Sequence, residues 1–192
     1  MNQKKKRIRP LSRDYLIRAT YRYLERFATT EKNLRDVLER KVRRILSQQE
    51  KEQDEESFKT AMIWIEEIVT KCRDQNLVND TNYAQARARS LLRSGNSTRM
   101  VAQKLRAKGV EVDLIKIVLE NYQQENPDMD YLAAIRYAKR RRFGAFSSRH
   151  DGSVVMEKEV ASMCRAGFSY EMAQKILKQD KAALEDKIYE QG

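Results

Sequence analysis

Leu77 to Leu119 reads LVNDTNYAQARARSLLRSGNSTRMVAQKLRAKGVEVDLIKIVL, and its turn signals and apolar spacing decide the fold class. Asn79 and Asp80 precede an apolar row at Ala84, Ala88, Leu91 and Leu92. That one-sided spacing predicts an amphipathic helix, and an Asn or Asp side chain ahead of it offers an acceptor to the first free amides. Gly95 ends this helix. Ser97 then opens a second, with Met100, Val101 and Leu105 as its apolar face, and Gly109 supplies a residue that tolerates φ > 0 just past its end. A third run places Ile115, Val118, Leu119 and Tyr122 at i, i+3, i+4 and i+7. Three short helices with one apolar face each close on one another, so the stretch predicts a three-helix unit over residues 79–126.

The device recurs downstream. Counting from Gly109, apolar residues fall at +6, +9 and +10 (Ile115, Val118, Leu119), and counting from Gly167 they fall at the same offsets (Ala173, Ile176, Leu177). One helix–Gly–helix element is used twice, which predicts a tandem array. Asn126, Pro127 and Asp128 break the chain before a helix faced by Tyr131, Leu132, Ile135 and Ala138. That helix runs into the cations Lys139, Arg140, Arg141 and Arg142. The connection FGAFSSRHDGS follows, then a helix using Met156, Val160, Met163 and Cys164. Ser169 next caps a helix faced by Ala173, Ile176 and Leu177, and a polar-rich extension carries Ala183, Leu184 and Ile188. Residues 127–192 therefore form a further unit with an extension.

Upstream, MNQKKKRIRP has no apolar face and is expected to be a disordered basic arm over residues 1–11. Leu16, Thr20, Tyr23, Leu24 and Phe27 line a first helix. Thr29 or Thr30 caps a second, faced by Leu34, Val37, Leu38, Val42 and Ile45. Gln48–Ser57 is wholly polar and reads as a linker or a polar helical extension. After it, Phe58, Ala61, Met62, Ile65, Ile68, Val69 and Cys72 give a long apolar stripe with Trp64 at its edge. These runs predict a unit over residues 12–78, with no closing Gly. The whole is expected to be all-α, an elongated array of three tandem three-helix units.

Charge is distributed unevenly. Lys and Arg number 39 against 28 Asp and Glu, a formal net charge of +11. Residues 1–50 hold 15 basic and 6 acidic side chains and residues 81–150 hold 14 and 6, whereas residues 51–80 and 151–192 are net acidic. Two basic blocks of this kind attract a polyanion or an acidic protein groove. No window approaches the ~18 uninterrupted apolar residues of a membrane span, and no apolar h-region follows the basic start, so a cytoplasmic chain is expected.

Catalytic signatures are missing. His150 is the single histidine; the cysteines are distant from it in sequence, and its place between Arg149 and Asp151 in a loop suits solvent exposure. No GxxxxGK[ST] run cradles phosphates and no Cys/His spacing suits zinc. Cys72 and Cys164 both sit on apolar faces, which favours core packing. No catalytic residue, metal or cofactor is expected.

The segments LVNDTNYAQARARS and GNSTRMVAQKLRAKGV resemble the central motif of the RecX family, whose members modulate the RecA recombinase. AAIRYAKRRRFGAF and VASMCRAGFSYEMAQKIL resemble that family's third repeat, in the same order. The resemblance implies three tandem three-helix units lying in the groove of the RecA–DNA filament, where they limit ATP hydrolysis, strand exchange and coprotease action. It also implies contact by Arg87, Arg89, Arg93, Arg99, Lys104, Arg106 and Lys108 of the central unit and by Lys139, Arg140, Arg141 and Arg142 of the third. The RecA filament is then the protein partner of a monomer, with DNA touched mainly through phosphate. A sequence-nonspecific DNA-binding module is the alternative that the same cations allow.

Overall fold

In a computed structural model the structure describes residues 10–48, 55–147 and 153–190. The basic arm up to Arg9, most of the Gln48–Ser57 linker and the His150 segment fall outside the described residues. Among the described residues every regular element is helical and none is a strand. The helices are α1 (Arg13–Leu24), α2 (Glu31–Gln48), α3 (Glu55–Asp74), α4 (Asp80–Arg93), α5 (Thr98–Arg106), α6 (Val112–Glu125), α7 (Met129–Arg141), α8 (Ser153–Arg165), α9 (Tyr170–Leu177) and α10 (Lys181–Tyr189), with a 3-10 turn at Gly144–Phe146. The chain divides into two compact bodies, Met1–Tyr83 and Ala84–Gly192.

In the first body α1, α2 and α3 bury Leu16, Leu34, Leu38, Val42, Ala61, Ile65 and Val69 completely. Each such large side chain contributes about 1.5–3 kcal/mol over its exposed state. Ser12 Oγ accepts the Tyr15 amide at 3.2 Å and Thr30 Oγ1 the Asn33 amide at 3.1 Å, so Thr30 rather than Thr29 caps α2. Thr29 Oγ1 instead accepts Asn33 Nδ2 at 2.7 Å. One expected core position differs. Phe27 lies beyond the end of α1 and is 51% exposed, its ring 5.2 Å from Tyr23, because the chain must leave the helix axis to reach the cap at Thr30.

The missing glycine of this body has a substitute. Asn76 takes φ +55° after α3, and the Leu77 amide reaches back to the Cys72 carbonyl at 2.8 Å. Asn is a residue that tolerates this left-handed turn. The same six-to-one closure follows α4, α5, α7 and α8, through Asn96 to Leu91, Val110 to Leu105, Phe143 to Ala138 and Phe168 to Met163. Gly95, Gly109 and Gly167 hold the positive φ in three of these, and Arg142 holds it at +57° after α7.

In the second body α7, α8, α9 and α10 enclose Leu132, Ile135, Ala138, Met163, Phe168, Ile176 and Leu184. α5 and α6 bury Val101, Leu105, Ile115 and Val118. Close contacts bind α5 and its leading turn to α7 and to the end of α8. Ser97 Oγ accepts the Met100 amide at 3.2 Å and donates to the Ala166 carbonyl at 2.6 Å. Gly95 abuts α7 so tightly that a Cβ there would stand 2.7 Å from Tyr137 N. A Cβ on Gly167 would stand 2.4 Å from Ser97 Oγ. Both glycines thus serve a close approach as well as a turn.

Candidate basic interface

All the cations singled out above are exposed, but the structure sorts them. On α4 the ~100° step per residue sets Arg89 and Arg93 on one face and Arg87 about 160° round from Arg89. On α5 the same geometry stacks Arg99 over Arg106 and turns Lys104 to the opposite flank. Lys104 shares a groove with Met100, Gly95 and Asn96 from its own side, Tyr137 and Arg140 from α7, and Ser162 and Arg165 from α8. Its Nζ donates to Asn96 Oδ1 at 2.6 Å. Arg140 crosses to the Ser94 carbonyl, and its guanidinium lies 5.4 Å from the Tyr137 ring centroid.

An adjoining groove is lined by Arg141, Arg142, Phe143, Lys158, Glu159, Ser162 and Arg165. Arg141 stacks 5.5 Å over Phe143, so two guanidiniums in this region rest on aromatic rings and lose little freedom on binding. Ser162 and Arg165 line both grooves, which joins them into one face. Glu159 is the carboxylate within this lining. It is 9% exposed and accepts the Gly144 amide at 2.8 Å, which turns one of its oxygens to the loop backbone. Among the described residues, Lys104, Arg140, Arg141, Arg142, Lys158 and Arg165 form no ion pair with a carboxylate.

The run at the end of α7 is split. Lys139 leaves the face for α10, its Nζ 2.9 Å from Glu185 Oε1 and 5.9 Å from the Phe146 centroid. The hydrogen bond from Lys139 holds the Glu185 carboxyl below its ordinary range, and in return Glu185 holds the Lys139 ammonium above its own. Some cations of the first body are engaged too, among them Arg35, which meets Glu66 at 2.9 Å, and Arg43, which meets Glu39 at 2.7 Å.

Arg165 and Lys158 do not stand out in the sequence, because they lie apart from the basic blocks, in a segment whose net charge is negative. Among the described residues no three His, Cys, Asp or Glu side chains gather to hold a metal ion. No helix among them is long and apolar enough to cross a membrane. Cys72 is buried and Cys164 half-buried, and neither is in a disulfide. Burial pushes the Cys72 thiol up from its ordinary value. The arrangement therefore offers a cationic surface with hydrogen-bond donors, suited to a multiply charged anionic partner.

Residues 79–119 match the RecX second three-helix domain. Regulatory protein RecX of Myxococcus xanthus is 36% identical over 178 residues, which cover 92% of this chain and 91% of that protein. Its counterpart in Agrobacterium fabrum is 34% identical over 168 residues, covering 88% and 84%. The fold is similar to the crystal structure of RecX from Lactobacillus salivarius, with a TM-score of 0.55 at 21% identity over 86% of this chain and 94% of that one. A second crystal structure of a regulatory protein RecX gives a TM-score of 0.59 at 20% identity, over 87% and 72%. With relatives this similar spanning nearly the whole length, the chain belongs to the RecX family of regulatory proteins.

Proposed function

We propose that this chain binds the RecA–DNA filament and restrains RecA's ATPase, strand exchange and coprotease action, working as a cytoplasmic monomer and by binding rather than by catalysis. In this reading three tandem three-helix units follow the filament. The observation that carries it is the face formed by Lys104, Arg140, Arg141, Arg142, Lys158 and Arg165, six cations against the single carboxylate of Glu159 and in no ion pair among the described residues, in a chain of the RecX family. Arg87, Arg89, Arg93, Arg99, Arg106 and Lys108 stand outside these two grooves and act as longer-range charge, while Lys139 is spent on Glu185. Each charge-assisted contact desolvated in a groove contributes about 1–3 kcal/mol, and far less at an exposed rim.

The test is the DNA-dependent ATPase of RecA titrated with this protein. Lys104→Glu, Arg140→Glu and Arg165→Glu together are expected to lower inhibitory potency more than about tenfold, the loss of two or more such contacts. Arg89→Glu, Lys104→Glu and Lys108→Glu together, which remove one groove cation, are expected to cost less. Equal inhibition by the groove variant and the parent places the contact face elsewhere. If the parent leaves the ATPase untouched and binds bare DNA with a steep salt dependence, the chain is a sequence-nonspecific DNA binder instead.

A further inference from the structure

Thr98, the first residue of α5, donates its amide to Asp130 Oδ1 at 2.9 Å. Asp130 belongs to the first turn of α7, 32 residues further on. The same contact occurs in the first body. Glu31, the first residue of α2, donates its amide to Asp80 Oδ1 at 2.9 Å, and Asp80 begins α4, 49 residues further on.

In both places the hydroxyl just before the helix is already occupied by a different amide: Ser97 by that of Met100, Thr30 by that of Asn33. The side-chain cap satisfies one of the free amides at the helix start, and the carboxylate takes another that the cap leaves. It does so at the end where the helix dipole favours negative charge. A local cap comes from the preceding residues. Here the acceptor comes from the start of the helix two further along the chain, α4 for α2 and α7 for α5. Two occurrences at matching positions mark a joint of the repeat rather than an accident of one turn.

The second joint bears on the basic face. Lys104 rides on α5 and Arg140 on α7, and the two meet in one groove with Arg165. We propose that Asp130 is a positioning residue for the interface: by holding the start of α5 to the start of α7 it sets the spacing of Lys104 and Arg140 for the anionic partner. The role rests on the reading of that face as the binding surface; the joint itself does not.

The sign of one substitution separates this from plain electrostatics. Asp130→Ala removes an acid from a chain of net charge +11 and makes it more basic. If charge alone governs, an anionic partner is bound as tightly as before or more tightly. If Asp130 positions the face, binding weakens. Asp130→Asn keeps an oxygen acceptor in place while removing the same charge, so it is expected to restore function that Ala loses.

Full-length variants are compared with the parent in the RecA ATPase titration, well below their melting temperatures, and by amide hydrogen exchange. Asp130→Ala is expected to lose about three- to tenfold in potency and to speed exchange at the Thr98 amide by about tenfold, the scale of one lost charge-assisted hydrogen bond. Asp130→Asn is expected to recover most of both. Asp80→Ala is expected to speed exchange at the Glu31 amide to the same degree. Potency equal to or above the parent in Asp130→Ala overturns the positioning role, and so does Asn failing where Ala fails. Unchanged Thr98 exchange overturns the joint. Should Asp130→Ala not fold, Asp130→Glu, whose oxygen is displaced by a methylene with the charge kept, takes its place with the same expected losses. If the parent does not affect RecA at all, the positioning role falls with the functional reading, while Thr98 exchange still decides the joint.

Discussion

Gly167→Ala puts two separate demands on the junction between α5 and α8. The residue sits at φ +94°, where any side chain is strained, at a cost of about 1–2 kcal/mol. The added Cβ would also lie 2.4 Å from Ser97 Oγ and 3.2 Å from Arg99 Cβ. Ser97 must then retreat, and it is the residue that holds the Ala166 carbonyl at 2.6 Å and the Met100 amide at 3.2 Å. Ser97 is fully buried, so neither group finds water in exchange, which adds about 1–3 kcal/mol. The sum is about 2–5 kcal/mol. In a body of about 100 residues each kcal/mol lowers Tm by about 4–8 °C, so a fall of at least about 8 °C is expected.

Thermal and urea unfolding followed by circular dichroism measure this, with Ser97→Ala and the double variant completing the cycle. Because both single changes lose the same Ser97 to Ala166 bond, the double variant is expected to cost less than their sum. A Gly167→Ala protein that melts within about 1 °C of the parent refutes the geometry at once. Strict additivity refutes the shared bond.

Arg142→Gly is expected to stabilise the second body by up to about 1 kcal/mol, since it relieves the φ of +57° at a modest entropic cost, while weakening RecA inhibition; a lower Tm contradicts the strain. Leu105→Asp and Ile115→Asp bury a charge where the parent side chains are 0% and 6% exposed, and each is expected to unfold the α5–α6 region, with melting like the parent's as the disproof. For the Lys139–Glu185 pair the pH dependence has a definite sign. The depressed Glu185 carboxyl contributes stability above its unfolded value and loses it as pH falls through the folded one, below the ordinary 4.5. The raised Lys139 ammonium contributes below 10.5 and loses it as pH rises beyond. Glu185→Gln is therefore expected to flatten the stability profile at both extremes; an unchanged profile means the exposed pair contributes nothing.

The sequence by itself determined the helical class, because an apolar residue every three or four positions has no other economical burial. It also located the local stops and starts, since a cap or a positive φ is a property of a few neighbouring residues: Ser97, Ser169, Gly95, Gly109 and Gly167 all serve as their types require. Periodicity tells which side of a helix faces inward but not which helix meets it, and tertiary structure decided the rest on that account. It gave Gly95 and Gly167 their second duty of admitting α7 and Ser97 at distances no Cβ would allow. It also brought Arg165 and Lys158, hidden in a net acidic segment, beside Arg140, Arg141 and Arg142 while drawing Lys139 away to Glu185. Charge blocks along the chain add up formal charges whatever their neighbours. Only folding settles which of those charges meet a carboxylate and which are left for a partner.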